Sequence, residues 1–163
     1  MSQLSINTTQ NVVINFTAAS VGERIGAYML DLLVKAAYFI IVFYVFFSFF
    51  QIDRWLNQLD NWSQAAVYML FFLPIAFYSL VQEALLEGQT LGKKLVKIKV
   101  VKIDGYQAGF GDYLIRWLFR VIDISIGSGI IGLITMVVNS KTQRLGDISA
   151  GTAVITLKNK VTI

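Results

Sequence analysis

The chain has 163 residues and a net charge of +4, and 56% of its residues are hydrophobic whereas only 15% are charged. Soluble domains carry about 25% charged residues, so this composition is typical of a membrane protein. Because the chain has no His and no Cys, thiol nucleophiles, disulfides and the common soft metal ligands are excluded, and neither a metal nor another cofactor is expected.

The N-terminal segment, residues 1–19, is predicted to form a β-hairpin. Leu4 and Ile6 alternate with polar residues, and Ile14 and Phe16 resume the alternation after a polar link. A period of two on either side of a short polar link is typical of paired strands. A disordered tail is the alternative interpretation.

Two apolar stretches, residues 21–50 and 63–87, are predicted to be transmembrane helices. Each exceeds the roughly 20 residues that are needed to cross a bilayer. Ser20 and Glu23 have the S-x-x-E spacing of a capping box, which places the start of the first helix at this point. The two spans predict a multi-pass membrane protein, with the lipid bilayer as its first partner.

A strand and turn are predicted over residues 93–106, because Val96, Ile98 and Val100 alternate with lysines before an Asp-Gly turn. The positive-inside rule places these lysines in the cytoplasm, together with the N-terminus. Since the basic residues have this topological role, nucleic acid is not expected as a partner. A last strand over residues 152–158 is expected to join the others in one small cytoplasmic sheet.

The stretch 112–139 allows two topologies. A single crossing would place the C-terminal Lys and Arg residues outside and separate the last strand from the others. The alternative breaks the stretch at the Gly-Ser-Gly of residues 127–129, and both resulting helices return to the cytoplasmic side as an interfacial or re-entrant hairpin. The second topology is favoured, because apolar segments of about 10–14 residues are more often interfacial or re-entrant than spanning.

The predicted fold class is an all-α membrane protein in one domain, residues 1–163. It combines two long transmembrane helices with the interfacial or re-entrant helical hairpin at 112–139. A small cytoplasmic β-element completes the predicted architecture.

Three strings of residues closely resemble the RDD family of bacterial membrane proteins. They are Glu23-Arg24-Ile25 leading to Asp31-Leu32-Leu33, then Gly88-Gln89-Thr90-Leu91-Gly92-Lys93-Lys94, and last Leu145-Gly146-Asp147 with Ala150-Gly151-Thr152. The resemblance implies that Arg24 is the arginine of the family name and Asp31 its first aspartate. The second aspartate is then Asp147, with Asp123 as the alternative. The resemblance also implies the bacterial cytoplasmic membrane and a transport role, of which cation/proton exchange is one form.

Arg24, Asp31 and Lys35 lie on one face of the first predicted helix. Asp31 and Lys35 are four residues apart, which is the spacing of a direct ion pair. Arg24 lies about 10 Å from Asp31 along the helix axis, so a different acidic partner near the interface is expected for it. The candidates for that partner are Glu83, Glu87 and Asp147.

A second charged face is predicted between residues 112 and 123. Its members, spaced for one side of a helix, are Asp112, Arg116, Arg120 and Asp123. One interpretation lays this helix on the lipid headgroups, with Tyr113 and Trp117 as interfacial anchors. The other packs its charges against Asp31 and Glu83 inside the protein, since ionisable residues rarely face lipid. The second interpretation predicts a buried charge network of Lys35, Glu83, Arg116, Arg120 and Asp123.

The glycine-rich string at residues 88–94 superficially resembles a phosphate-binding loop but lacks the G-x-x-x-x-G-K-[ST] spacing. It is interpreted as a tight interfacial turn whose lysines face the lipid and contact anionic headgroups. The residues of this predicted turn are Gly88, Gln89, Thr90, Gly92, Lys93 and Lys94. Catalysis is not expected, because a Ser-His-Asp set cannot exist without His and no soluble cleft is evident.

Two functional hypotheses follow. The first is transport of a cation or small solute with Asp31 as the protonatable carboxylate. A structural Asp31–Lys35 salt bridge is the competing interpretation, because a carboxylate already satisfied by a cation is a poor proton carrier. Two or three spans do not easily enclose a path, so transport requires a homo-oligomer.

The second hypothesis is a non-transporting membrane anchor or regulatory subunit that docks a membrane-protein partner through the exposed edge of its cytoplasmic sheet.

Overall fold

The computed structural model describes residues 3–7, 13–104, 106–127, 129–139 and 141–158. Most of these residues are helical, and four short strands among them form two small sheets. The helices are α1 (Val21–Val42), α2 (Ile52–Leu56), α3 (Asn61–Leu85), α4 (Leu91–Val96), α5 (Phe110–Gly127), α6 (Ile130–Val138) and α7 (Leu145–Ser149). The strands are β1 (Gln3–Asn7), β2 (Val13–Thr17), β3 (Ile98–Lys102) and β4 (Thr152–Thr156).

Two helices are long and apolar enough to cross a membrane. One is α1 together with its π-helical continuation Phe43–Phe49, and the other is α3. Their 29 and 25 residues correspond to about 44 Å and 38 Å, which exceeds the roughly 30 Å of a hydrocarbon core. Their apolar side chains are largely exposed; Phe49, for example, is 78% exposed. A core helix of a soluble protein would bury these side chains, so the exposure is typical of contact with lipid.

The start of α1 is stabilised by a reciprocal capping box. Ser20 Oγ accepts a hydrogen bond from the backbone N–H of Glu23 at 3.2 Å, and a carboxylate oxygen of Glu23 accepts one from the backbone N–H of Ser20 at 3.0 Å. The two bonds satisfy donors that the first turn of a helix leaves without partners. The helix therefore begins where the S-x-x-E spacing predicts.

Replacing Ser20 with alanine is expected to lower the free energy of unfolding by about 1 kcal/mol, because one helix donor loses its acceptor. Thermal unfolding of the detergent-solubilised protein measures this loss. Ser48→Ala is the matched control, since Ser48 is exposed in the π-helical segment. If both variants lose the same stability, the cap does not stabilise α1.

The strands form two separate antiparallel pairs. In one pair Gln3 lies opposite Thr17, and in the other Ile98 lies opposite Thr156. The link between β1 and β2, residues 8–12, lies outside the described residues. The expected single sheet is therefore wrong. Backbone contacts connect the first pair to β4 just before the chain turns into α1 at Ser20: Ala18 bridges to Ile155, and the N–H of Ala19 donates to the Val154 oxygen at 2.8 Å. Phe16 of β2 packs beside them against the cluster of Ala18, Ala153 and Ile155.

The strand predicted from residue 93 begins later in the structure, because residues 91–96 form α4. Thr90 starts this helix by accepting a hydrogen bond from the N–H of Lys93, and Lys97 ends it with a left-handed φ of 62°. The side chains of Ile98 and Val100 then enter the core with that of Leu80 from α3. The apolar alternation thus predicts β3 correctly but extends it too far toward the N-terminus.

The stretch 112–139 contains a break at the predicted place. Helix α5 ends at Gly127, Gly129 has a φ of +80°, and α6 begins at Ile130. Nine residues of α6 extend only about 14 Å, so α6 alone cannot cross a bilayer. Gly132 packs against the Asp123 carboxylate, which shows that α6 folds back onto α5.

Candidate functional site

Asp147 on α7 binds arginines from two other helices. Arg24 of α1 donates from Nη1 to one carboxylate oxygen at 2.6 Å, and Arg116 of α5 donates to the other. The N–H of Arg144 also donates to Asp147, at 3.2 Å. Asp147 is only 3% exposed and Arg24 only 5%. One carboxylate therefore joins α1, α5 and α7 in the protein interior.

Glu83 near the end of α3 binds three cations, of which Arg116 is shared with Asp147. Lys93 Nζ lies 2.6 Å from one carboxylate oxygen, Arg116 Nε lies 3.2 Å from the other, and Arg120 Nη2 is more distant at 3.4 Å. Arg116 thus lies between the two buried carboxylates Glu83 and Asp147. We call the continuous series Lys93–Glu83–Arg116–Asp147–Arg24 the ion-pair chain, and it connects α4, α3, α5, α7 and α1.

Asp31 is satisfied by neutral donors. Its two carboxylate oxygens accept hydrogen bonds from Thr90 Oγ1 at 2.6 Å, from the N–H of Gly92 at 2.9 Å and from the Tyr78 hydroxyl at 3.0 Å. The expected ion pair with Lys35 is wrong. The structure instead places Lys35 Nζ 5.2 Å from the centre of the Tyr78 ring. The four-residue spacing brings the two side chains to one face, but donors from α3 and α4 occupy the carboxylate.

Several hydrogen bonds hold the glycine-rich string, residues 88–94, against the protein interior. The N–H of Gly88 donates to the Glu83 carbonyl, Gln89 Nε2 donates to the Ile98 carbonyl, and Thr90 and Gly92 hold Asp31. Lys93 is buried and Lys94 is exposed. The lipid-facing position predicted for both lysines is thus wrong for Lys93, because its partner Glu83 lies inside.

The charged face of α5 also turns inward at its centre. Tyr113 is buried, and Trp117 stacks on Phe77 with ring centres 4.9 Å apart while its Nε1 donates to the Ala76 carbonyl. Both aromatic residues are therefore packed against the protein, which favours the interior interpretation of this face over the one in which they anchor the helix at the headgroups. Asp112, by contrast, accepts from the Gly109 N–H near the start of α5 and is not part of the ion-pair chain.

The ionisable side chains around this region surround one cavity of about 50 Å³, which we call the charged cavity. Its cations are Arg24, Lys35, Lys93, Arg116, Arg120 and Arg144, and its carboxylates are Asp31, Asp123 and Asp147. All three predicted family-motif residues and the alternative aspartate line it. Of the predicted charge network, Glu83 alone does not line the cavity, although it binds three of the cations that do.

Burial and neighbouring charges shift several pKa values at this site. Burial by itself would raise the pKa of Asp147, but Arg116 and Arg24 reverse this and hold it well below its usual range. Burial lowers the pKa of Lys93 to about 8, although Glu83 opposes the shift. Burial and the nearby Arg120 lower the pKa of Arg144 to about 10. The lowered values of the two bases reflect burial together with the excess of neighbouring positive charge.

Three contributors were not expected from the sequence. Tyr78 has no feature that separates it from the other tyrosines. The sequence places Thr90 in the glycine-rich turn without indicating a contact with Asp31, and it marks Arg144 only as one of the C-terminal basic residues. Tyr78 and Thr90 lie 47 and 59 positions from Asp31 in the sequence. Contacts over such separations leave no periodic pattern in the sequence. Among the residues that the structure describes, no group of three acidic, His or Cys side chains is placed to hold a metal ion.

The fold and the site define a class of helical protein in which two apolar helices suited to a bilayer are joined by buried ion pairs. The sequence model of the RDD family matches residues 18–151, and the chain belongs to the RDD family. No curated protein and no solved structure shows significant similarity to it. Family membership together with the two candidate spans makes the chain a membrane protein.

Proposed function

We propose that the protein transports a small solute across the bacterial cytoplasmic membrane, with the charged cavity as its solute site. The observation that carries the proposal is the position of this cavity, where α1 and α3 meet α5 and α7 and six cationic side chains converge. Ionisable residues in membrane helices are costly and commonly mark the path of a substrate. A purely structural helix contact would be cheaper to build from apolar side chains.

The orientation follows from the positive-inside rule. The lysines of α4 and β3 lie on the cytoplasmic side, so the N-terminus is cytoplasmic and α2 lies outside. The short α6 and its contact with α5 support an interfacial or re-entrant hairpin that returns to the cytoplasmic side. The charged cavity then opens near the cytoplasmic end of the two spans.

Transport requires more than one copy of the chain. Transporters place their sites between repeats or bundles of helices, and two spans do not enclose such a path. The exposed apolar side chains of α1 and α3, such as Phe39 and Leu70, are available for helix contacts with a second copy as well as for lipid. We therefore propose a homo-oligomer as the transporting unit.

The geometry supports a solute other than a proton exchanged at Asp31. Three hydrogen bonds already satisfy this carboxylate and hold it against α3 and α4. Protonation would occupy a position at which Asp31 now accepts hydrogen bonds, and weakening an acceptor is costly in a buried site. Asp31 is therefore proposed as a positioning residue that holds α4 in place.

The alternative is a non-transporting anchor or regulatory subunit that binds a partner strand. This needs a free edge on the sheet of β3 and β4. The N–H of Val100 already donates to the Gly88 carbonyl at 3.0 Å on the outer side of β3, and Ala19 donates to Val154 on the outer side of β4. Because both outer edges carry these bonds, the geometry favours transport over strand addition.

Proteoliposomes test the proposed transport. Vesicles containing the protein are expected to move at least one of Na⁺, K⁺, chloride or phosphate faster than protein-free vesicles. Lys35→Met should slow this flux by about tenfold, the rate equivalent of 1.4 kcal/mol, because Lys35 lines the cavity outside the ion-pair chain. Lys141→Met is the control, since Lys141 is exposed and is not among the residues that line the cavity. Absence of any protein-dependent flux would refute transport.

The same vesicles test the role of Asp31. Proton movement driven by Na⁺ or K⁺ is expected to be equal in Asp31→Asn and wild type per folded protein. A selective loss of cation-driven proton movement in Asp31→Asn, with the fold intact by circular dichroism, would instead identify Asp31 as a proton carrier.

A further inference from the structure

The charged cavity carries more positive than negative charge. Six cationic side chains line it, against three carboxylates. Glu83 adds a fourth carboxylate through its bonds to Lys93, Arg116 and Arg120. Two positive charges remain in excess even when every carboxylate is ionised. Arg24, Lys93 and Arg116 are buried, and the other three cations are half-buried. An excess of one sign in such a site is costly without a counter-charge.

The carboxylates are mostly committed to bonds that leave little capacity for further cations. Asp147 is shared between Arg24 and Arg116, and Asp31 accepts three neutral hydrogen bonds. Burial raises the pKa of Asp123, an effect that Arg144 opposes. Asp147 and Asp31 therefore have little capacity left for an added cation.

Arg24, which lines the cavity, retains buried donors without partners. One of its nitrogens binds Asp147, but Nε and Nη2 have no hydrogen-bond partner within the described part of the chain, although both atoms are buried. A guanidinium presents several donors in a planar fork that matches two oxygens of a carboxylate or phosphate. Since Arg24 is one of the residues that line the cavity, its unpartnered edge can donate to an added acceptor.

Two further cations lack acidic partners among the described residues. Lys35 faces the Tyr78 ring, and the Nε of Arg144 lies 3.3 Å from the Met136 sulfur. Arg120 shares Glu83 with two other cations at the longest distance of the three, 3.4 Å. These side chains belong to α1, α5 and the start of α7, so positive charge surrounds the cavity from several elements.

The cavity has the size and access that a small ligand needs. Its volume of about 50 Å³ is several times the roughly 10–15 Å³ that one water needs on the same measure. Tyr28, Arg120, Asp123 and Arg144 also line an adjoining groove of about 530 Å³ beside α6. A ligand can therefore reach the cavity through the groove between α1 and α6.

We propose that the charged cavity binds an oxyanion of the phosphate class, held by Arg24, Arg144, Arg120 and Lys35. The binding of an oxyanion does not depend on transport. Only the consequence that the transported solute is an anion rests on the proposed function. The phosphate group is either free or part of a lipid headgroup, and the two sources share the same recognition by guanidinium groups.

Binding is tested on the full chain in neutral detergent and phosphate-free buffer. Titration with inorganic phosphate is expected to raise the midpoint of thermal unfolding more than chloride at equal ionic strength. Arg144→Met should weaken phosphate binding by at least about tenfold, since it removes a cation that binds no described carboxylate through its side chain. Lys141→Met, the exposed control, should bind as the wild type does.

Competition separates the two sources of the phosphate group. Displacement of radiolabelled phosphate by an anionic phospholipid, but not by a zwitterionic one, would identify a headgroup as the natural ligand; failure of both lipids to compete would identify free phosphate. Equal effects of phosphate and chloride, or unchanged binding in both Arg144→Met and Lys35→Met, would overturn the proposal. Phosphate binding without any flux would support the oxyanion site and refute transport. Flux of Na⁺ or K⁺ without phosphate binding would support transport and refute the oxyanion site.

Discussion

Gly92→Ala is expected to lower the free energy of unfolding by about 3 kcal/mol or more. A Cβ at this position would lie 2.2 Å from the backbone oxygen of Ala27 and 2.9 Å from the Asp31 carboxyl carbon. Neither atom is free to move, since one belongs to the backbone of α1 and the other is held by three hydrogen bonds. The variant must therefore separate α4 from α1, which adds the loss of a hydrogen bond to the cost of overpacking.

The measurement is thermal unfolding in detergent, followed by circular dichroism. The midpoint is expected to fall by roughly 10 °C, since about 1 kcal/mol shifts the midpoint of a chain of this size by roughly 2–4 °C. Gly26→Ala is the matched control on α1, because a Cβ there meets nothing within 4 Å. Alanine should stabilise α1 slightly at that position through its higher helix propensity. Similar midpoints for the two variants would show that Gly92 does not pack closely against Ala27 and Asp31.

Asp147→Asn is expected to have a comparably large effect, about 3–5 kcal/mol. The substitution removes the negative charge of Asp147 and leaves Arg24 and Arg116 buried without it. Removing one partner of a buried ion pair lowers the free energy of unfolding by about this amount. Glu87→Gln is the control, because the Glu87–Lys99 pair has side chains that are 64% and 31% exposed. An exposed pair contributes about 0–1 kcal/mol. Equal losses in the two variants would contradict a structural role for the ion-pair chain.

The pH dependence of stability provides a second measurement for Asp147. Its pKa is lowered in the folded state by Arg116 and Arg24, against the effect of burial. The stabilisation is therefore present above the ordinary value of 3.8 and is lost as the pH falls below it, because the unfolded state takes up the proton first. Wild type should lose stability in this acid range, and Asp147→Asn should lose less over the same interval.

A double-mutant cycle identifies the contact responsible. Arg24→Met removes the other end of the Asp147 bond at 2.6 Å, so the double variant should be more stable than the sum of the two single losses predicts. Additive losses would indicate that Arg24 and Asp147 act independently. The cycle uses only unfolding measurements and does not depend on knowledge of the solute.

The local features of this chain could be predicted because each depends on a short segment. The capping box needs only Ser20 and Glu23, and the break near residue 128 follows from two glycines on either side of it. Helix α4 was missed because the alternation of Val96, Ile98 and Val100 outweighed the cap at Thr90. A six-residue helix has too little periodicity to compete with a strand pattern of the same length.

Partner choice among the charges could be predicted only in part. The charged residues of the first helix were expected to avoid lipid, and those of α5 either to lie on the headgroups or to pack inside the protein. Arg24 was expected to meet one of three acids, and the structure pairs it with Asp147. For Asp31 the nearest cation along the helix was the expected partner. Neutral donors from Tyr78, Thr90 and Gly92 occupy its oxygens instead, and their approach depends on how α3 and α4 pack.

The sequence by itself therefore determined the membrane character, the two spans and the expectation that charges within the spans avoid lipid. These properties follow from hydropathy and from the cost of charge in lipid, which act on every residue locally. The tertiary structure alone decided which charges meet, that Lys93 is buried, and that the cavity between the helices is cationic. The physical reason is that electrostatic balance depends on distances of a few ångströms between side chains from different helices, and spacing along one helix does not specify those distances.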